Sequence, residues 1–199
     1  MFLLWSKKDL RLFLVHWKLK YVLPIPSYLT KFLVIYSDSY LLCSMVLQIG
    51  DKAPQFTLKD AFEKEISLSD FKGKRVIIYF YPKDNTPGCT KEACNFRDNW
   101  DILQRNDVIV IGISKDNASS HQKFIDKFEL PFILLTDKVP CKVASDYESY
   151  GLKKFMGKEY MGMIRNTFVV DPSGNIERIY SKVKAAIMAD HIVTDLQLS

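Results

Sequence analysis

The sequence predicts an α/β domain with a mixed central β-sheet flanked by helices, preceded by an atypical N-terminal segment. Two continuous apolar runs, Val76–Tyr81 and Val108–Ile113, are rich in β-branched residues and typical of strands buried on both faces. Segments with a helical spacing of apolar residues separate these runs from each other and from a later hairpin. This alternation of strands and helices indicates a mixed sheet that is covered by helices on both sides.

The remaining predicted strands are shorter. Phe132–Leu135 forms a third apolar run, which follows the second predicted helix. Thr167–Val170 and Ile176–Tyr180 flank the turn-rich residues Asp171–Asn175, so we expect these two segments to pair as a β-hairpin.

Four helices are predicted from apolar residues that recur at spacings of three and four. They are Lys91–Gln104, Ser119–Phe128, Val139–Tyr150 and Ala185–Leu198. Ser119 or Ser120 is the expected N-cap of the second helix, and His121 is expected on its surface. Gly151 is expected to end the third helix.

Residues 1–44 differ in composition from the rest of the chain. The first glycine is Gly50 and the first alanine is Ala53, and Asp38 interrupts the most apolar window, Phe32–Ile49. No small-residue cleavage site of a secretory signal is present in this stretch. We interpret residues 45–199 as the folded domain and residues 1–44 as an extension. Three interpretations of this extension remain open: a stretch upstream of a true start at Met45, a membrane-associating anchor, or a targeting segment. Any membrane contact of the protein is expected only through the extension.

Composition excludes several classes of protein. The net charge of +5 comes mainly from residues 1–44, so the nearly neutral remainder has no basic surface suited to nucleic acid. Four cysteines in 199 residues are too few for a disulfide framework, which favours a cytoplasmic protein with a few distinct thiols. The three histidines lack ligand spacing to these thiols, and no nucleotide-binding fingerprint occurs, so we expect neither a metal nor a cofactor.

The most informative residues lie between the first buried strand and the first long helix. Pro87 and Gly88 place Cys89 at, or just inside, the N-terminus of that helix. The unpaired N–H groups and the dipole of a helix N-terminus stabilise an anion, and a thiolate is the reactive form of cysteine. Cys89 is therefore a candidate nucleophile, the alternative being a small apolar residue of the core.

Cys94 follows Cys89 by five residues, a spacing that matches neither the C-x-x-C of thioredoxin-like oxidoreductases nor a zinc site. Five residues along an α-helix rise about 7.5 Å and turn about 140° beyond a full revolution. A disulfide needs the two Cα atoms within about 7 Å and converging Cβ directions. If both residues are helical, a Cys89–Cys94 disulfide therefore requires the helix to unwind locally.

Pro82, Thr86 and Cys89 match the P-x-x-x-[TS]-x-x-C signature of peroxiredoxins. The wider string Tyr81–Cys94 resembles the bacterioferritin comigratory protein subfamily, also called peroxiredoxin Q. The resemblance extends from about Leu47 to the C-terminus and implies a thioredoxin-like fold.

The resemblance also implies a thiol-dependent peroxidase that reduces hydrogen peroxide and organic hydroperoxides. Cys89 would be the peroxidatic cysteine, which becomes a sulfenic acid. Cys94 would be the resolving cysteine of an atypical 2-Cys mechanism, and a thioredoxin-type reductant would reduce the resulting disulfide. Relatives of this kind are often monomers, and we expect the same here.

Further roles follow from the same resemblance. Arg165 would hold a fixed positive charge beside the thiolate, and the Thr86 hydroxyl would point at the sulfur and the peroxide. Pro82 would shield the sulfur from water, and the backbone N–H groups of Gly88 and Cys89 would bind the developing negative charge. Without the resemblance, Arg165 reads as a solvent-facing charge, Thr86 as a turn or cap residue and Pro82 as the end of a strand.

Two cysteines are expected to lie outside the reaction. Cys43 belongs to the N-terminal extension, and Cys141 is interpreted as incidental, with an alternative role as a resolving cysteine. Two other functions remain open at this point: a general thiol–disulfide oxidoreductase, and a redox-sensing or chaperone-like module that uses the disulfide as a conformational switch.

Overall fold

The structure, a computed structural model, describes residues 46–155, 157–181 and 184–199. Residues Leu47–Ser199 form one compact unit. The expectations about residues 1–44, including that for Cys43, lie outside the described residues. In the described ranges, no helix has the length and apolar character needed to cross a membrane.

Nine strands form two sheets in the part of the chain that the structure describes. They are β1 Thr57–Asp60, β2 Glu65–Ser67, β3 Arg75–Phe80, β4 Val108–Ser114, β5 Ile133–Thr136, β6 Tyr150–Phe155, β7 Lys158–Met163, β8 Asn166–Val170 and β9 Ile176–Ser181.

Five α-helices and two short 3₁₀ helices accompany these strands among the described residues. The α-helices are α1 Pro87–Asp98, α2 Trp100–Arg105, α3 Ala118–Phe128, α4 Lys142–Asp146 and α5 Met188–Asp195, and the 3₁₀ helices are Leu68–Phe71 and Ala185–Ile187.

The main sheet has seven strands in the order β2-β1-β5-β4-β3-β8-β9. Its central strands β3, β4 and β5 are parallel, whereas β1 and β8 pair with it antiparallel. Strands β6 and β7 form a separate antiparallel hairpin. The predicted mixed sheet flanked by helices is thus confirmed.

Strand β3 lies between the two halves of the apolar core. Val76, Ile78 and Phe80 belong to one apolar cluster, whereas Ile77 and Tyr79 belong to a second that includes α1 and α5. This alternation is the side-chain period of two in a strand, and burial on both faces explains why the whole run is apolar.

The predicted helix Lys91–Gln104 is wrong in its bounds. The helix begins at Pro87, because Thr86 is extended and proline suits the first helical position. A break at Asn99 separates α1 from α2, and the Asn99 side chain donates a hydrogen bond to the Asn95 carbonyl at 2.9 Å.

The predicted helix Val139–Tyr150 is reduced to the five residues of α4. Cys141 before the helix and Glu148 after it both adopt left-handed backbone conformations, with φ of 58° and 51°, which a continuing helix excludes. Tyr150 instead begins β6, a strand that the sequence analysis missed together with β7, β1 and β2. The last helix is also shorter than predicted, since only Met188–Asp195 is α-helical.

The start of α3 differs from the prediction in two details. Asn117, and neither Ser119 nor Ser120, caps the helix, because its side chain accepts a hydrogen bond from the Ser120 N–H. His121, expected on the surface, is completely buried, because it faces a polar cluster beneath the loop before α1.

Candidate active site

Cys89 is the third residue of α1, where the sequence placed it. Pro87 and Gly88 precede it in the first turn, so the N–H groups of Gly88 and Cys89 have no acceptor within the helix. The Cys89 side chain is buried, with 2% of its surface exposed. The side chain thus lies at the positive end of the helix dipole, beside N–H groups that can donate to a bound group.

Arg165 lies directly beside this thiol, with its Nη2 atom 3.2 Å from the Cys89 Sγ atom. The strand pairing explains the contact, because Thr167 of β8 pairs with Tyr79 of β3 and so brings the residues before β8 next to the loop that leaves β3. The Ile164 N–H also donates to the Ser149 carbonyl at 2.7 Å, which fixes the backbone just before Arg165.

Glu92 is a site residue that the sequence analysis missed. It lies one turn after Cys89 on α1, has no exposed surface, and accepts a hydrogen bond from Arg165 Nη1. Burial raises the pKa of Glu92 to about 7, although the neighbouring Arg165 lowers it. The second carboxylate oxygen of Glu92 has no partner among the described residues. Its i, i+3 spacing from Cys89 was the signal that could have identified it.

The guanidinium of Arg165 contacts two groups, Glu92 and Cys89. Burial by itself lowers the pKa of Arg165, but Glu92 and Cys89 raise it, and the net shift is upward. The guanidinium therefore remains charged while one nitrogen faces the carboxyl group of Glu92 and the other faces the sulfur of Cys89.

Gly88, Thr86 and Pro82 lie in the segment between the end of β3 and the first turn of α1. A Cβ atom added at Gly88 would lie 3.5 Å from Arg165 Nη2, so Gly88 is close to the guanidinium. The Thr86 hydroxyl donates to the Lys83 carbonyl at 3.1 Å, and no hydrogen bond among the described residues joins it to Cys89. Pro82 follows the end of β3 and is partly buried.

Cys89 and Cys94 both lie within the continuous helix α1, and neither is in a disulfide. Cys94 is partly exposed, whereas Cys89 is buried. Because both residues are helical, the two sulfurs cannot bond until part of α1 unwinds.

Cys141 lies away from this helix in the other half of the core. It is completely buried, and its Sγ atom is 3.5 Å from the Asp137 carbonyl oxygen. Burial raises the pKa of the Cys141 thiol, and Asp137 raises it further. These surroundings disfavour a thiolate and are those of a structural cysteine.

The chain matches the model of the AhpC/TSA family over residues 49–179. The chain belongs to this family. Peroxiredoxin Bcp from Bacillus subtilis is 45% identical over 77% of this chain and 95% of its own length. A putative peroxiredoxin bcp from Coxiella burnetii is 50% identical over 70% of this chain and 92% of its own length.

A solved structure supports the same assignment. The bacterioferritin comigratory protein from Xanthomonas campestris, described for its alkyl peroxide reduction activity, superimposes with a TM-score of 0.67 at 30% identity. The match covers 71% of this chain and 90% of that protein. This peroxiredoxin therefore has the expected thioredoxin-like fold, is a member of the Bcp or peroxiredoxin Q subfamily, and is a thiol-dependent peroxidase.

The loop before the helix of this peroxiredoxin is held by a buried polar cluster that the sequence analysis did not foresee. Asp84 accepts hydrogen bonds from Tyr81 at 2.8 Å and Ser120 at 2.7 Å, and its Oδ2 atom lies 3.0 Å from His121 Nδ1. The Asp84 N–H in turn donates to Asp116 at 2.8 Å. Burial alone raises the pKa of Asp84, but the hydrogen bonds with His121, Ser120 and Tyr81 hold it below its usual value.

The hydrogen bonds of Asp84 hold the loop that leads from the main sheet into α1. Tyr81 follows β3 directly, and Ser120 and His121 belong to α3, so Asp84 ties the loop between β3 and α1 to two rigid elements. In the described part of the chain, no group of three metal-binding side chains occurs that could hold an ion.

Proposed function

We propose that this peroxiredoxin reduces hydrogen peroxide and organic hydroperoxides with Cys89 as the peroxidatic cysteine. The observation that carries the proposal is the 3.2 Å contact between Arg165 Nη2 and the Cys89 Sγ atom at the N-terminus of α1. A permanent positive charge and unpaired N–H groups both stabilise a thiolate at this point. The alkyl peroxide reduction described for the Xanthomonas campestris relative supports organic hydroperoxides as substrates.

The first step transfers one oxygen atom to Cys89. The thiolate attacks the terminal oxygen of the hydroperoxide, so an S–O bond forms while the O–O bond breaks. The sulfur loses two electrons and becomes a sulfenic acid, and the remaining oxygen leaves as water or an alcohol after it takes up a proton. Negative charge moves from the sulfur to the leaving oxygen during this step.

The surrounding groups are suited to that movement of charge. The Arg165 guanidinium and the N–H groups of Gly88 and Cys89 present donors to the space beside the sulfur. Thr86 would contribute after its hydroxyl turns from the Lys83 carbonyl to the bound peroxide. Pro82 would keep water from the sulfur.

Cys94 resolves the sulfenic acid in our proposal. Its thiolate attacks the Cys89 sulfur, an S–S bond forms, and the S–O bond breaks with release of hydroxide, which becomes water. Because α1 is regular from Pro87 to Asp98, this step follows local unwinding of the helix. A dithiol reductant of the thioredoxin type then returns both cysteines to thiols by disulfide exchange.

Three cysteine variants test this assignment. Cys89→Ser should abolish peroxide consumption, whereas Cys94→Ser should still form a sulfenic acid but fail to turn over with thioredoxin. Cys141→Ser serves as the matched control, since Cys141 is buried elsewhere in the core, and it should retain turnover. Retention of most activity by Cys89→Ser would refute the peroxidatic role, and full thioredoxin-linked turnover by Cys94→Ser would refute the resolving role.

Two further measurements separate the alternative functions. Reduction of insulin disulfides faster than hydrogen peroxide would indicate a general thiol–disulfide oxidoreductase. Oxidation of Cys89 at the rate of a free thiol would indicate a redox-sensing or chaperone-like switch. We also expect the protein to act as a cytoplasmic monomer, which sedimentation analysis and cell fractionation would test.

A further inference from the structure

One peptide group in the loop before α1 connects the Thr86 hydroxyl to a residue outside that loop. Its carbonyl, that of Lys83, accepts a hydrogen bond from the Thr86 hydroxyl at 3.1 Å. Its N–H, that of Asp84, donates to Asp116 Oδ2 at 2.8 Å. A trans peptide group is planar, so its N–H and C=O bonds point in opposite directions. Asp116 and Thr86 are therefore bound at opposite ends of one rigid unit.

Asp116 is held in turn by the last residue of β4. Ser114 Oγ donates to Asp116 Oδ2 at 3.0 Å and accepts a hydrogen bond from the Asp116 N–H at 3.0 Å. Ser114 has no exposed surface, and its backbone pairs with Thr136 of β5 inside the main sheet. The carboxylate of Asp116 thus has a fixed position relative to the sheet.

The chain between this peptide group and Thr86 makes a tight turn. Asp84 and Asn85 are the central residues of the turn, and Asn85 has a left-handed φ of 55°. Asparagine adopts that conformation more readily than most other residues. The turn returns Thr86 to the Lys83 carbonyl, and the hydrogen bond from the Thr86 hydroxyl closes it. A rotation of the peptide group would move the carbonyl away and release the Thr86 side chain.

The other hydrogen bonds of Asp84 do not duplicate this restraint. Its carboxylate accepts hydrogen bonds from Tyr81 and Ser120, and it lies 3.0 Å from His121 Nδ1. Those contacts hold the side chain of Asp84, whereas the peptide plane before Asp84 rotates about the φ and ψ bonds that flank it. Among the described residues, Asp116 is the only partner of the Asp84 N–H.

We propose that Asp116 is a positioning residue for peroxide reduction, which acts by fixing the side chain of Thr86. The inference rests on the proposed function, because it concerns the attack of the Cys89 thiolate on the peroxide. Thr86 is the N-cap residue of α1 and precedes Cys89 by three positions. With its side chain fixed, only the hydroxyl proton has to rotate from the Lys83 carbonyl to the peroxide.

Loss of the Asp116 carboxylate removes this restraint. The Lys83–Asp84 peptide group is then free to rotate, and the Thr86 side chain divides its time among several rotamers. Only some of these rotamers present the hydroxyl to a bound peroxide, so the rate of attack falls. Asp116 itself contacts neither the sulfur nor the peroxide in this mechanism.

The test is a double-mutant cycle with Asp116→Ala and Thr86→Val in the full-length protein. Alanine removes the acceptor of the Asp84 N–H, and valine keeps the shape of threonine but has no hydroxyl. Rapid mixing with hydrogen peroxide, acid quenching and mass spectrometry give the second-order rate constant for loss of the Cys89 thiol. Residues that act through one group have non-additive effects on this constant, whereas independent residues have additive effects.

Asp116→Ala should react with peroxide about fivefold more slowly than the wild type, which is the effect of one positioning hydrogen bond. Thr86→Val should be slower still, and addition of Asp116→Ala to it should change the rate constant by less than about twofold. Asp116→Asn should react at about the wild-type rate, because its side-chain oxygen still accepts the hydrogen bond from the Asp84 N–H.

Asn117→Ala is the matched control for a loss of stability next to Asp116. The Asn117 side chain caps α3 by accepting a hydrogen bond from the Ser120 N–H at 2.9 Å, and it makes no hydrogen bond to the loop in the described ranges. This variant should melt at a lower temperature but react with peroxide at the wild-type rate. Ser114→Ala should slow the reaction as Asp116→Ala does, and it decides the question if Asp116→Ala does not fold.

Several results would reject the inference and leave Cys89 as the peroxidatic cysteine. They are a wild-type rate in Asp116→Ala or Thr86→Val, an equal slowing by Asp116→Ala with and without the Thr86 hydroxyl, an Asp116→Asn protein as slow as Asp116→Ala, and an Asn117→Ala protein that is equally slow. A wild-type protein whose Cys89 reacts no faster than a free cysteine would reject the proposed function and the inference together.

Discussion

Replacement of Glu92 with glutamine tests whether the buried carboxyl group beside Arg165 titrates near neutral pH. Glu92 has no exposed surface, and burial raises its pKa from the ordinary 4.5 to about 7 in spite of Arg165. Glutamine has nearly the same size and still offers an oxygen to Arg165, but it does not ionise. The difference in stability between the two proteins therefore isolates the proton of Glu92.

The sign of the effect follows from proton binding. Between pH 4.5 and 7 the folded protein keeps the proton of Glu92, whereas the unfolded chain releases it. Folding then takes up a proton, so the contribution of Glu92 to stability is complete below pH 4.5 and is lost as the pH rises through 7. The distance between the two pKa values, 4.5 and about 7, corresponds to roughly 3 kcal/mol.

Urea unfolding of the wild type and Glu92→Gln at pH 4.5, 6, 7 and 8 measures this difference. The free energy of unfolding of the wild type should fall by roughly 3 kcal/mol relative to the variant across that range, since all other titrating groups are shared. A difference that stays constant, or that grows in favour of the wild type as the pH rises, would mean that Glu92 is ionised throughout. In that case the ion pair with Arg165 outweighs burial, and the reasoning is wrong.

Three other outcomes are expected. Arg165→Lys should lower the rate constant for peroxide by about tenfold in stopped-flow measurements, because an ammonium lacks the rigid fork of two nitrogens with which the guanidinium contacts Glu92 and Cys89. An unchanged rate would remove Arg165 from the site. Cys141→Ala should lower the free energy of unfolding by about 1 kcal/mol without changing thioredoxin-linked turnover, since Cys141 is buried in the core away from α1; loss of turnover would give Cys141 a role in the reaction. Deletion of residues 1–44 should leave the melting temperature and turnover unchanged, and a truncated protein that fails to fold would contradict the expected domain.

The buried strands were predictable because their sequences carry one strong signal. Val76–Tyr81 is apolar throughout, and the structure places β3 at Arg75–Phe80, between β4 and β8. The hairpin β6–β7 gave no such signal, because its residues alternate between charged, apolar and glycine in a pair of strands outside the main sheet. Tertiary pairing, and not local propensity, determines that hairpin.

Helix ends were the least predictable part of the fold. Asn99 divides the predicted helix Lys91–Gln104 through a side-chain contact that spacing alone does not reveal. Cys141 and Glu148 shorten α4 because both take left-handed conformations that are uncommon for their residue types. These features depend on the packing around each residue.

The residues around the sulfur were predictable to different degrees. The position of Cys89 in the first turn of α1 followed from Pro87 and Gly88, whereas Arg165 came only from the resemblance to peroxiredoxins. Glu92 and His121 were missed because a charged or polar residue on a helix is usually exposed. Both are buried because a partner, Arg165 or Asp84, lies opposite them in the fold.

The most direct test of the account is to identify the first sulfur that hydrogen peroxide oxidises. The reduced protein is mixed with less than one equivalent of peroxide in the presence of dimedone, which traps sulfenic acids, and the labelled peptide is found by mass spectrometry. We predict that the label appears on Cys89, far faster than on a free cysteine peptide under the same conditions. A label that appears first on Cys94 or Cys141, or on Cys89 no faster than on the free peptide, would contradict the account.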